Sequence, residues 1–141
     1  MCKLCGICVY TTIQGDVVCC EKMIAIGSVN ITGSLVIKSC HRLVSMIKVT
    51  AKNIYISDCE NLIQMCEVYS KTLYLRNNTR LITITDITTT DLCVIEGCKQ
   101  IIRLYNKEKP EILYIFDCGN EMPHELFWNM GSTNIFLYKS D

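Results

Sequence analysis

The chain has 141 residues, of which half are apolar, and its 14 basic and 14 acidic residues leave a formal net charge of zero. Half apolar content excludes disorder, and the length fits one domain able to bury a continuous core. The charge signs are mixed along the chain, so no basic stripe is present for nucleic acid, and no apolar run reaches the roughly 18 residues that span a bilayer.

The N-terminal stretch Met1 to Tyr10 carries Cys2, Cys5 and Cys8, with Cys19 and Cys20 following. Its apolar part is too short for a signal peptide and lacks a small-residue cleavage pattern. Thiolates at such spacing can share a zinc ion, with Cys19 or Cys20 as fourth ligand, or hold an iron–sulfur cluster. Zinc sites, however, usually present two compact Cys pairs, and the cluster motif ends in Cys-Pro, which is missing here. Leu4, Ile7 and Val9 suit a buried cap, so the preferred reading is structural thiols without a cofactor, with a metal site as the alternative. Asp16 to Cys20 lies one period before Cys40 and reads as a degenerate coil, making residues 1–33 an N-terminal cap.

From residue 34 to 118 the chain repeats itself. Cys40, Cys59, Asn78, Cys98 and Cys118 recur at steps of 19 or 20 residues, each ending a similar phrase: Leu35 to Cys40, Ile54 to Cys59, Leu73 to Asn78, Cys93 to Cys98, Leu113 to Cys118. A fixed period of this size marks a solenoid. Counted from each anchor, apolar residues fall five and three positions before it and three, six and nine after it: Leu35, Ile37, Leu43, Met46 and Val49 in the coil of Cys40. The alternation before the anchor makes a short strand with those side chains inward, and stacked coils pair such strands into a parallel sheet. Thr83, Thr85, Thr88, Thr89 and Thr90 favour a second extended segment over helix. In the fourth coil, Lys107-Glu108-Lys109-Pro110 is expected to bulge out as a loop.

Residues 119–141 form a C-terminal cap, with a short helix expected from Pro123 to Gly131 and a last strand at Ile135 to Tyr138. The expected architecture is therefore one mostly β domain, a parallel β-solenoid of about five short coils with irregular ends.

Eleven cysteines in a small protein suggest a disulfide scaffold. The odd count and the single Asn at a Cys position fit free thiols acting as small buried hydrophobes better. Asn30-Ile31-Thr32 and Asn77-Asn78-Thr79 match the glycosylation pattern but lack a secretory context.

The phrase Leu-x-Ile-x-x-Cys-x-x-Leu, at Leu35 to Leu43, Ile54 to Leu62 and, with Asn, Leu73 to Leu81, resembles the cysteine-containing leucine-rich repeat. The resemblance covers residues 34–118 and implies that Cys or Asn at the anchor turns inward to meet backbone groups of the neighbouring coil. A right-handed parallel β-helix gives a similar pattern and remains the alternative. The bias to Ile, Asn, Lys and Tyr looks like an AT-rich genome, and short leucine-rich-repeat proteins of large insect DNA viruses are similar in style; free thiols fit a reducing compartment, so the expected location is the cytoplasm, that of the host if the chain is viral.

Between the inward strand residues stands an outward column: Val36, Tyr55, Tyr74, Val94, Tyr114 and Phe136. The next outward column is Lys38, Ser57, Arg76, Glu96, Phe116 and Tyr138. Neighbours in such columns lie about 5 Å apart, so the apolar members form a ridge. Contiguous aromatic exposure points to a protein partner or a second copy, with Tyr55, Tyr74, Tyr114, Phe116, Phe136 and Tyr138 as contacts; cross-strand packing of a Tyr ladder is the plainer reading of the same residues. Enzyme chemistry finds no support: His41 sits in a turn after Cys40, the anchor thiols point inward, and no phosphate-cradling Gly loop is visible. Asp58 and Asp117, just before Cys, are expected to cap the turn.

Overall fold

Strict inward and outward alternation at a period of 19 or 20 residues lets each coil bury its apolar side only against its neighbours, and that requirement shapes the fold. The computed structural model describes residues 4, 10–100, 103–108, 110–118 and 134–138, with residues 103–108, 135, 137 and 138 described by backbone alone. Its strands are β1 (Thr11–Ile13), β2 (Val17–Val18), β3 (Ala25–Ile31), β4 (Ser34–Lys38), β5 (Ser45–Thr50), β6 (Asn53–Ser57), β7 (Gln64–Arg76), β8 (Thr83–Glu96), β9 (Arg103–Glu108), β10 (Ile112–Phe116) and β11 (Asn134–Tyr138). No helix occurs among the described residues.

The strands pair in parallel along two sides of the coil. On the first side β2, β4, β6, the C-terminal half of β7, that of β8, then β10 and β11 stack in register, so that Val17, Leu35, Ile54, Leu73, Cys93, Leu113 and Ile135 fall in one column. On the second side β1, β3, β5, the N-terminal half of β7, that of β8, and β9 do the same, with Val29, Val49, Val68 and Ile87 aligned. The chain is thus a parallel β-solenoid of about five turns, as the repeat implies. Leu35, Ile37, Leu43, Met46, Ile54, Ile56, Leu62, Met65, Leu73, Leu75 and Leu81 are fully buried and fill its interior.

Two corners per coil are made by residues in the left-handed region. The first falls just before each anchor, at Ser39, Asp58, Asn77, Gly97 and Asp117, with φ between 50° and 65°. Asn, Asp and Gly enter this region at low cost, which explains their use here. The corner N–H groups of Ser39, Asp58, Asn77 and Gly97 donate forward to the carbonyls of Ser57, Arg76, Glu96 and Phe116, so each turn is tied to the next coil. Asp58 and Asp117 both take this backbone conformation, and the Asp58 carboxylate also accepts from Asn77 Nδ2 one coil on, at 3.5 Å. At Gly97 an added Cβ would run into Asn77 Oδ1. The second corner uses Ser28, Lys48, Glu67 and Asp86, also at positive φ, and the strand pairing steps over them: Gly27 pairs Ile47 and Val29 pairs Val49.

The expected loop at Lys107 to Pro110 is replaced in part by strand. β9 continues through Glu108, pairing Thr88 with Glu108, and Pro110 is buried. The offset between β8 and β9 drops by one residue at Ile87 and is restored at Thr88, so the pairing is irregular there but continues, while the step from a 19- to a 20-residue period enters one coil earlier, between Ser70 and Thr72. The degenerate N-terminal coil joins the ladder through Val17 and Val18, and the last strand is present as β11, whereas the helix expected from Pro123 to Gly131 lies outside the described residues.

Leu75 is fully buried and sits in register between Ile56 and Ile95. Leu75→Ala should cost about 2–5 kcal/mol, read as a lower urea midpoint at unchanged slope; a loss under about 1 kcal/mol would contradict this stacked interior.

Candidate functional site

The anchor ladder explains itself through hydrogen bonds. Asn78 Oδ1 accepts the backbone N–H of Cys59 at 3.1 Å, and its Nδ2 donates to the Ile56 carbonyl at 3.1 Å, both in the preceding coil. The Cys anchors do this work in whole or in part with one atom. The Cys59 sulfur accepts from the Cys40 backbone, that of Cys98 from Asn78 and that of Cys118 from Cys98. Cys118 Sγ donates to the Ile95 carbonyl at 3.5 Å, the counterpart of the Asn78 to Ile56 bond, and to the Phe116 carbonyl at 3.2 Å. Cys40 Sγ reaches the Cys20 carbonyl at 3.5 Å, and Cys59 and Cys98 donate to Ser57 and Glu96. The position therefore demands a side chain that accepts and donates in a dry interior, a demand that thiol and carboxamide both meet.

Burial pushes the Cys93 and Cys98 thiols up to about 12 and Cys59 to about 11; Cys118 is raised as well. Desolvation is the chief cause in each case, outweighing the N–H groups that favour the thiolate at Cys59, Cys98 and Cys118. These sulfurs stay protonated at neutral pH and are shielded donors rather than nucleophiles. Of the N-terminal thiols, Cys2, Cys5 and Cys8 lie outside the described residues, Cys19 is buried and Cys20 half-buried. Among the described residues no group of three or more His, Cys, Asp or Glu side chains stands close enough to hold a metal ion. His41 is exposed and meets Glu60 across a coil step at 3.2 Å.

The outward column falls in the register that the repeat implies: Val36, Tyr55, Tyr74, Val94, Tyr114 and Phe136 are successive partners. Its aromatic members form two groups. Tyr55 and Tyr74 have ring centroids 6.5 Å apart, and Tyr114 stacks on Phe136 at 5.0 Å and on Phe116 at 5.9 Å. Tyr55 and Phe136 are each 40 % exposed, while Val94 between the groups is only 6 % exposed. Its short side chain lies in register between Tyr74 and Tyr114 and is covered, so the notch in the ridge is a low step in its height rather than an open pocket. Beside the notch, in the second column, Arg76 Nε lies 3.8 Å from Glu96 Oε2. The backbone of Tyr138 continues that column beyond Phe116.

A further exposed column escaped the strand-based reading. Ile24, Val44, Ile63 and Ile82, each four residues past an anchor position, are linked by backbone bonds from Val44 to Ile24, Ile63 to Val44 and Ile82 to Ile63, and the first three are exposed. An aliphatic residue directly after the inward Leu of three successive coils was the available signal. No family model matches the chain, and no curated protein or solved structure matches it.

Asn78→Ala should cost about 1–3 kcal/mol, because it strands the Cys59 N–H and the Ile56 carbonyl, whereas Asn78→Cys should restore most of the loss; equal melting of the two variants would refute the donor-and-acceptor account. The raised thiols also fix a pH dependence. A folded pKa above the ordinary 9 means full stability below pH 9 and a progressive loss as pH rises towards 12. Urea midpoints measured across that window should fall less steeply in Cys98→Ser than in the parent, and parallel curves would contradict the assignment.

Proposed function

We propose that the solenoid is a non-enzymatic interaction or self-assembling module that binds through its aromatic ridge. The observation that carries this reading is the in-register column with exposed Tyr55 and Phe136 and stacked Tyr114, Phe116 and Phe136. Tyr and Phe bring large contact area at small entropic cost, since each has few rotatable bonds, and the stack beneath holds them in place before binding. Cross-strand packing alone would be served as well by Val or Thr, and this column uses Val only at its N-terminal end, Val18 and Val36, and at the notch.

The finer reading of the coil as a cysteine-containing leucine-rich repeat is supported by the Asn78 and Cys118 bonds to the preceding coil. Buried protonated thiols suit a reducing compartment such as the cytoplasm. Replacing Tyr55, Tyr74 and Tyr114 together with Ser should leave the far-ultraviolet spectrum and cooperative melt intact while abolishing association seen by sedimentation. Oligomer mass and partner binding that survive the replacement would sink the ridge reading.

A further inference from the structure

This inference rests on the ridge reading and names its partner. We infer that the ridge pairs with a second copy of the same chain, about a two-fold axis parallel to the strands and lying between Tyr74 of β7 and Val94 of β8. Such an axis reverses the order of coils while keeping each column opposite itself, as an isologous interface requires. Three features of the face are self-complementary about that line.

The first is shape. The low step at Val94 directly adjoins Tyr74 in register, so rotation sets each Tyr74 opposite the partner's low step, against the residues that cover Val94. The second is charge. Arg76 and Glu96 are adjacent in the second column, and the same rotation sets each Arg76 against the partner's Glu96 and each Glu96 against the partner's Arg76. Their contact within one chain is long, at 3.8 Å, which leaves both groups with capacity for a second partner. The third is coverage. Tyr55 comes to face the partner's Tyr114, and Val36 the partner's Phe136, so both aromatic groups are covered at once. A register moved by one coil towards the N-terminus would set Arg76 against Ser57 and leave Phe136 uncovered. The zero net charge removes any long-range repulsion between copies.

The test uses the full chain with Arg76→Glu and Glu96→Arg, each alone and the two mixed. Both positions are on the surface column, and unchanged thermal melts check folding. Sedimentation equilibrium should show a dimer for the parent, weakened by rising salt, and self-association at least about tenfold weaker for each single variant, since each then faces two like-charge contacts. Mixing Arg76→Glu with Glu96→Arg should recover the dimer, because both contacts across the axis become opposite in sign, while the like-charge contact inside each chain persists. Val94→Tyr, which fills the notch, should abolish the dimer. A dimer that is lost in the Tyr-to-Ser variant but unmoved by the charge variants and by Val94→Tyr would overturn the two-fold pairing and leave the ridge reading standing. A dimer that also survives the Tyr-to-Ser change would overturn both, and a parent that stays monomeric at every concentration would overturn the self-pairing alone.

Discussion

In-register parallel pairing of each coil with the next is the constraint on which the rest of this molecule depends. It converts a period in the sequence into columns in space, and every later property belongs to a column rather than to a residue. Met46, Met65 and Ile84 become one interior row, Ser39 to Asp117 one row of corners, Tyr55 and Tyr74 part of one ridge. A single coil has no interior of its own, so the pairing and the burial arise together.

The anchor ladder shows how the pairing is enforced at the point where the strand ends. A chain leaving a strand exposes an N–H and a carbonyl that the neighbouring strand no longer meets, and burial makes leaving them unpaired costly. At Asn78 and Cys118 the anchor side chain supplies both partners, whereas Cys59 and Cys98 accept from the preceding coil and donate within their own. A thiol does so weakly and compactly; the Asn78 carboxamide does so with two separate atoms at normal hydrogen-bond lengths. An aliphatic residue of the same volume would fill the space but leave both backbone groups orphaned. Cysteine at the anchors Cys40, Cys59, Cys98 and Cys118 is thus a matter of hydrogen bonding in a dry corner, and the raised pKa values of Cys59, Cys98 and Cys118 are its electrostatic consequence.

How much of this was legible in the sequence follows from what determines each feature. The outward columns could be read because a solenoid's register equals its period, and the structure places Val36 to Phe136 as the repeat implies. The second corner could not be read, since Lys48 and Glu67 are not residue types that announce positive φ; they adopt it because Val49 and Val68 beyond them must return to the interior. The course of Lys107 to Pro110 was misjudged for a related reason. Composition favours a loop there, but the ladder offers Thr88 as a ready partner and tolerates the compensating register shifts on either side of Ile87. Local propensity yields to pairing wherever pairing is available. For the N-terminal thiols, sequence reasoning stops at a list of ligand types, because metal binding depends on convergence in space that spacing alone does not set.

Burial of Val94 was equally hidden, and the proposed pairing depends on it most. Counting inward and outward positions assigns it to the surface, yet it is shielded because larger rings stand on either side. Exposure along a ladder is a property of neighbours as much as of direction. A smooth aromatic ladder would accept any flat apolar partner in many registers, whereas a ladder with one low step accepts a partner only where a projecting group meets that step. Here the projecting group closest to the notch is Tyr74 of the same ladder, with Arg76 and Glu96 flanking the step in opposite sign. On the proposed pairing, a break in the repeat, not the repeat itself, is what selects the register.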